Sequence, residues 1–145
     1  MEVALSAAAV RCAAADERLT AARRRVLQML LESSRPRKAY DLIANFGKPR
    51  DRPKPTTIYR ALEFLIGQGL VHRIESTNSF VACRRSGQAH SAGFLICDCC
   101  GTVEEFEVDV LSSQTIAEAK GYTFGTIVLE ALGLCRACLP PSSVA

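Results

Sequence analysis

The chain lacks tryptophan, and aromatic residues make up only 6% of its 145 residues. A hydrophobic content of 48% excludes general disorder and, with so few aromatics, predicts a core of Leu, Ile, Val and Ala. No run of residues approaches the roughly 20 apolar positions that a membrane-spanning helix needs. The first residues lack the basic region of a secretory signal, and Arg11 interrupts their apolar run. We therefore expect an amphipathic first helix in a cytoplasmic protein.

The sequence also lacks an even distribution of charge. Residues 1–83 contain 14 Lys/Arg and 8 Asp/Glu, a net charge of +6, whereas residues 84–145 contain 4 and 7, a net charge of −3. A basic first half joined to an acidic second half is typical of a nucleic-acid-binding module attached to a module of another kind. Charge alone leaves open the alternative of an ordinary solvated basic face.

Seven cysteines are present, and in a reducing compartment they favour metal binding over disulfides. Four of them form two Cys-x-x-Cys pairs separated by 34 residues: Cys97 with Cys100, and Cys135 with Cys138. This spacing is typical of a four-thiolate zinc site that links distant parts of a small domain. The two-residue gap selects Cys97 and Cys100 as ligands, and Cys99 between them is the alternative ligand of this pair. Cys12 is predicted to be a buried residue of the first helix.

Apolar periodicity in the first half predicts helices over residues 19–32, 39–46 and 56–67, followed by strands over 70–75 and 79–83. Three prolines make residues 48–55 a stiff basic loop. Three helices followed by a hairpin indicate the winged-helix variant of the helix-turn-helix. In the third helix the residues off the apolar stripe are Thr56, Thr57, Tyr59, Arg60 and Glu63. Thr, Tyr and Arg side chains near a helix N-terminus can contact phosphates and base edges. A plain surface helix is the alternative.

A second set of metal-capable residues surrounds the hairpin. A tight turn at residues 77–78 would place His72 directly opposite Cys83, close enough to share one ion, whereas a longer turn would shift this register. His90, in the polar segment 84–91, and a carboxylate from the acidic run 104–107 would complete a tetrahedral zinc shell. Each signal is weak alone, because a single histidine is usually a satisfied surface or core residue and a strand cysteine is usually a small buried hydrophobe.

The second half predicts a strand over 94–98, a knuckle turn, a strand over 102–108, a helix over 110–120, a strand over 123–129 and the second knuckle. So small a sheet cannot bury all of this apolar surface, which favours pairing with another subunit. The fold class is therefore α+β, with a winged-helix domain over 1–83, a hinge over 84–91 and a small α/β zinc-stapled domain over 92–145.

Several separated segments closely resemble the ferric uptake regulator (Fur) superfamily, and they occur in the right order: 40–42, 57–65, 69–72, 75–83 and the two cysteine pairs. The similarity extends from about Leu19 to Cys138. Segments 75–83 and 133–138 are most similar to the zinc-responsive members. The resemblance implies a homodimeric repressor with an N-terminal winged helix and a C-terminal dimerisation domain.

The resemblance also implies roles for particular residues by position. The structural zinc ligands would be Cys97, Cys100, Cys135 and Cys138. The regulatory zinc ligands would be His72, Cys83, His90 and Glu105. The residues used against DNA would be Tyr40, Thr57, Tyr59 and Arg60. A thiolate among the regulatory ligands favours zinc over iron, because zinc is the softer ion of the two.

The implied function is a zinc-responsive transcriptional repressor. It would carry two zinc ions per subunit, bind palindromic operator DNA as a zinc-loaded homodimer and repress zinc-uptake genes. It would have no enzymatic activity, no membrane association and no small organic substrate. A superfamily member that senses iron, nickel or peroxide is the nearest alternative. Outside the superfamily, a zinc hydrolase would need an open coordination position, and a purely structural zinc-stapled dimer would leave the basic half unexplained.

Overall fold

The computed structural model describes residues 1–85, 91–123 and 127–140. It divides into two compact units, Met1–Gln88 and Ala89–Ala145. The predicted domain limits and the hinge over 84–91 stay a prediction, because residues 86–90 lie outside the described part. In the part of the chain that is described, no helix has the length and apolar character needed to cross a membrane.

Over residues 1–85, the first unit consists of four helices, a single 3-10 turn and a hairpin. In chain order these are α1 (Glu2–Ala14), α2 (Ala21–Leu31), α3 (Ala39–Asn45), the 3-10 turn (Pro49–Asp51), α4 (Pro55–Gly67), β1 (Val71–Ile74) and β2 (Ser79–Ala82). The first helix and the three helices of the winged-helix pattern are confirmed, with ends within two residues of those predicted. The Thr20 hydroxyl caps α2. Pro55 is the first residue of α4, a position at which a backbone N–H would have no acceptor within the helix.

The core of the first unit follows the predicted apolar stripe of α4. Ile58, Ala61, Leu62 and Leu65 recur with helical spacing and are all buried. They pack in one cluster with the buried side chains of α1, α2 and the hairpin: Leu5, Ala8, Val26, Leu27, Met29, Leu30, Val71, Phe80 and Ala82. Cys12 is completely buried on α1, as predicted, and burial raises the pKa of its thiol.

The register of the hairpin differs from the prediction. His72 lies opposite Val81 and Ile74 lies opposite Ser79, so the predicted tight turn that set His72 opposite Cys83 is wrong. The connection spans residues 75–78, with Asn78 at a φ of 48°, a conformation that asparagine tolerates. The register therefore shifts by two residues, and each side chain keeps its face of the hairpin.

The described residues of the second unit form a three-stranded sheet and one helix: β3 (Ala92–Cys97), β4 (Val103–Glu107), α5 (Val110–Ala119) and β5 (Leu129–Gly133). The strand order is β4-β3-β5, with β3 antiparallel to β4 and parallel to β5. The predicted last strand, 123–129, is wrong, since Thr123, Ile127 and Val128 lie outside the strands and 124–126 lie outside the described residues. β-branched residues favoured that segment, but pairing to β3 decides which residues form the strand.

Gly93 and Phe106 face each other across β3 and β4. A Cβ atom added to Gly93 would lie 2.4 Å from Cζ of Phe106, a separation that real Cβ atoms do not show. The aromatic ring therefore covers the glycine, an arrangement that holds strand register in sheets.

We predict that Gly93→Ala lowers the free energy of unfolding of the second unit by about 1–3 kcal/mol, because the ring of Phe106 must move. Urea unfolding followed by circular dichroism measures the change. Gly133→Ala is the matched control, since no heavy atom lies within 4 Å of its added Cβ. Equal destabilisation by both substitutions would show that the close contact does not constrain the sheet.

Candidate metal centres and nucleic-acid interface

The two cysteine pairs of the second unit meet because β3 and β5 run parallel. Cys97 ends β3 opposite Gly133, the last residue of β5. The carbonyl of Gly133 accepts a hydrogen bond from the N–H of Asp98 at 2.8 Å, and Cys135 follows two residues later. The Sγ atoms of all four cysteines then lie within 4.8 Å of one another: Cys97, Cys100, Cys135 and Cys138.

This cluster fits a zinc ion by distance. Tetrahedral coordination with Zn–S bonds of about 2.3 Å places the sulfurs about 3.8 Å apart. The Sγ atoms of Cys100 and Cys135 are 3.7 Å apart. The backbone N–H of Cys135 donates a hydrogen bond to Sγ of Cys97 at 3.3 Å. Such hydrogen bonds orient metal ligands. Cys99 is exposed and does not belong to the cluster.

The electrostatics of the cluster also suit a divalent cation. Backbone N–H groups of Cys100 and Cys135 lower the pKa of Cys97 to about 6. Hydrogen bonding by Thr102 lowers the pKa of Cys100. The neighbouring sulfurs of Cys99 and Cys135 raise the pKa of Cys138. Four thiols at this separation cannot all ionise without a cation between them, and a zinc ion provides that charge.

We predict that Cys135→Ser loses one zinc ion per chain and unfolds the second unit, because the free energy of binding a structural zinc is part of the free energy of folding. Zinc analysis after dialysis and circular dichroism measure the two effects. Cys99→Ser, which removes an exposed thiol outside the cluster, should keep the native zinc content. Loss of zinc from both variants alike would contradict the four-cysteine assignment.

His72 and Cys83 lie together on the wing in spite of the corrected register. His72 is on β1, and Cys83 follows β2 with its N–H bonded to the carbonyl of Leu70 at 2.9 Å. The two residues are therefore diagonal neighbours on one face of the hairpin, within reach of each other. A ring nitrogen of His72 lies within 4.8 Å of Sγ of Cys83. Nitrogen and sulfur at this separation can bind one zinc ion.

The other two predicted regulatory ligands belong to other segments. Glu105 is a half-buried residue of β4 and lies opposite Phe94 in the second unit. His90 lies outside the described residues. The complete four-residue shell therefore stays a prediction.

The solvent-facing side of α4 is the candidate nucleic-acid surface. Thr56, Tyr59, Arg60 and Glu63 are exposed at helical spacing, on the side opposite the buried stripe. Tyr59 is 51% exposed, and Tyr40 on α3 is 77% exposed. Polar, aromatic and guanidinium groups in such a stripe are those that contact phosphates and bases.

The predicted contact residues do not coincide fully with this exposed stripe. Thr57, one of those residues, is half-buried beside the stripe. Thr56 is exposed on the stripe but is not among the DNA contacts that the family resemblance implies.

Large apolar side chains are exposed in the second unit. Leu111 is 73% exposed and Ile116 is 59% exposed on α5. Further exposed apolar residues are Leu95, Leu129 and Leu132 of the sheet. Apolar surface of this kind in a unit of about 50 residues is typical of a protein–protein contact.

Comparison with known proteins shows to which family the chain belongs. The model of the ferric uptake regulator family matches residues 14–132, and the chain belongs to that family. Within it, the chain is 40% identical over 131 residues to the zinc uptake regulation protein of Escherichia coli (strain K12). The alignment covers 88% of this chain and 77% of that protein.

Solved structures give the same result. A zinc uptake regulator complexed with zinc and DNA is 39% identical, with a TM-score of 0.86 over 92% of this chain and 91% of that one. The holo form of XcZur is 40% identical, with a TM-score of 0.82 over 92% of this chain and 95% of that one.

Proposed function

We propose that this chain is a zinc-responsive transcriptional repressor, which binds palindromic operator DNA as a zinc-loaded homodimer and represses zinc-uptake genes. The observation that carries the proposal is its likeness, at 39% identity and a TM-score of 0.86, to a zinc uptake regulator complexed with zinc and DNA. The protein would act in the cytoplasm. It would be a regulator with no enzymatic activity and no small organic substrate.

The exposed stripe of α4 would read the operator. The buried stripe fixes the helix on the core of the first unit, so Tyr59 and Arg60 point away from it. A guanidinium can pair bidentately with the O6 and N7 atoms of guanine in the major groove. Thr57 and the exposed Tyr40 would add contacts to the backbone and to base edges.

The second unit would form the homodimer. Its exposed apolar side chains, with Leu111 and Ile116 among them, would be covered by the same residues of a second copy. A two-fold dimer presents two copies of α4, and this geometry requires two inverted half-sites about one helical turn apart. Palindromic DNA is therefore the expected partner.

Two zinc ions per subunit would be held by different ligand sets. Cys97, Cys100, Cys135 and Cys138 would hold the structural ion of the second unit, and the sulfur spacing supports this set. The regulatory ion would be held by His72, Cys83, His90 and Glu105. Bound zinc supplies positive charge that keeps the ligating thiols ionised.

The regulatory ligands would couple zinc to DNA because they come from different segments. His72 and Cys83 belong to the wing, His90 to the predicted hinge and Glu105 to β4. A filled ligand set drawn from these segments limits the orientations that two α4 helices can adopt. A tenfold gain in operator affinity requires only about 1.4 kcal/mol of differential binding.

The chemistry favours zinc over the alternatives. A thiol at Cys83 suits zinc better than iron, and the similar proteins at 39–40% identity are zinc regulators. Four protein ligands leave no position for a reactive water, which argues against a hydrolase. A purely structural dimer would leave the exposed stripe of α4 without a role.

We predict that Cys83→Ser keeps the structural zinc and loses zinc-dependent operator binding, because one regulatory ligand is missing. Fluorescence anisotropy in zinc buffers, with zinc counted per chain, measures both properties. The control is Cys99→Ser, which should respond to zinc as the native chain does. A Cys83→Ser protein with the native zinc response would contradict the regulatory assignment.

We predict that Arg60→Ala reduces the preference for operator over shuffled DNA by about 1–3 kcal/mol, since a bidentate base contact is lost. Competition binding on duplexes of equal length measures the preference. Arg35→Ala removes an equal charge from an exposed site and should leave the preference unchanged. The same loss of preference in both variants would show that Arg60 acts through charge alone.

A further inference from the structure

Four cations lie close together in the segment that connects α3 to α4, residues 48–54, which we call the basic loop. Lys48, Arg50, Arg52 and Lys54 are all exposed, and Asp51 is the one acidic residue among them. The backbone of the loop is restricted. Pro49 begins the 3-10 turn, the N–H of Asp51 bonds to the carbonyl of Lys48 at 2.8 Å, and Pro53 fixes a further φ.

The arginines of α2 contrast with the basic loop, because all three take part in contacts within the first unit. The guanidinium of Arg23 lies 3.4 Å from the centre of the Phe64 ring. Arg24 pairs with the carboxylate of Glu2, and Arg25 donates to the carbonyl of Phe46 at 3.3 Å. These contacts join α2 to its neighbours, so the three charges serve the fold.

The cations of the basic loop take part in no such contact. Within residues 1–85, 91–123 and 127–140, none of the four makes an ion pair or a side-chain hydrogen bond. Four exposed cations without an ion pair to any described residue therefore lie within seven consecutive residues, 48–54. Loops with free cations and restricted backbones lose little entropy when they bind an anionic surface.

The basic loop is also continuous with the exposed stripe of α4. Lys54 is the residue that precedes the helix, and Thr56 begins the stripe. The first turn of α4 contains no acidic residue that would repel an anion. A duplex whose bases face α4 would present its phosphates beside this end of the helix.

We propose that the basic loop binds the sugar–phosphate backbone of the DNA that α4 reads, an inference that rests on the proposed function. The loop adds affinity for any duplex, whereas Tyr59 and Arg60 provide the preference for the operator. Each phosphate that a cation neutralises makes the slope of log affinity against log salt more negative by about 0.9. The loop therefore sets a large part of the salt dependence of binding.

The test compares two double variants of the zinc-loaded full chain. Arg50→Gln with Arg52→Gln removes two charges from the basic loop. Arg18→Gln with Lys120→Gln removes two exposed charges elsewhere and is the matched control. Anisotropy between about 50 and 200 mM salt measures binding to an operator selected from random duplexes by the native protein, and to a shuffled duplex. Circular dichroism and zinc content verify folding.

A homodimer of the loop variant lacks four loop cations, so we expect its plot of log affinity against log salt to become less steep by about 3.6. Its loss of affinity over this salt range should therefore be roughly 100-fold smaller than that of the native protein. The ratio of operator to shuffled affinity should not change, and the control should keep the native slope. An unchanged slope, or an equal change in the control, would overturn the role of the loop and leave the proposed function intact. A native protein that selects no operator would overturn the proposed function itself.

Discussion

The parallel pairing of β3 with β5 is the constraint on which the second unit depends. It aligns Cys97 with Gly133 and so brings together two cysteine pairs that are far apart in the chain. The strand pairing and the sulfur cluster would support each other, since a zinc ion bound by the cluster would hold the ends of both strands. So small a sheet has little core of its own. Its exposed apolar residues, and the homodimer we propose from them, are consequences of the same small size.

In the first unit, one side of α4 is packed in the core and the opposite side is exposed. The buried stripe of α4 is anchored in the core, and Arg23 stacks on Phe64 from α2. These contacts leave Tyr59 and Arg60 exposed to a partner. The wing follows directly, and the diagonal positions of His72 and Cys83 place two potential metal ligands on it. The regulatory metal binding and the DNA binding that we propose would therefore both involve the first unit.

Sequence reasoning predicted the helices of the first unit because the apolar period of a helix is a local signal. It misplaced the hairpin register, since Glu75 to Asn78 can form a loop of either length and no local signal chooses between them. It misplaced β5 because pairing to β3 outweighs the β-branched residues Ile127 and Val128. Cysteine spacing predicted the four-sulfur cluster, whereas the separation of His72 and Cys83 required the structure.

We propose that the first zinc ion keeps the second unit folded and that binding of the second zinc ion raises the affinity for DNA. The direct measurement is operator binding across a series of free-zinc buffers, with zinc per chain counted in each sample. We expect one tightly held zinc ion at every point, and operator affinity that rises at least tenfold, a change of about 1.4 kcal/mol, as the second equivalent binds. Operator affinity that is already complete with one zinc ion per chain would contradict it.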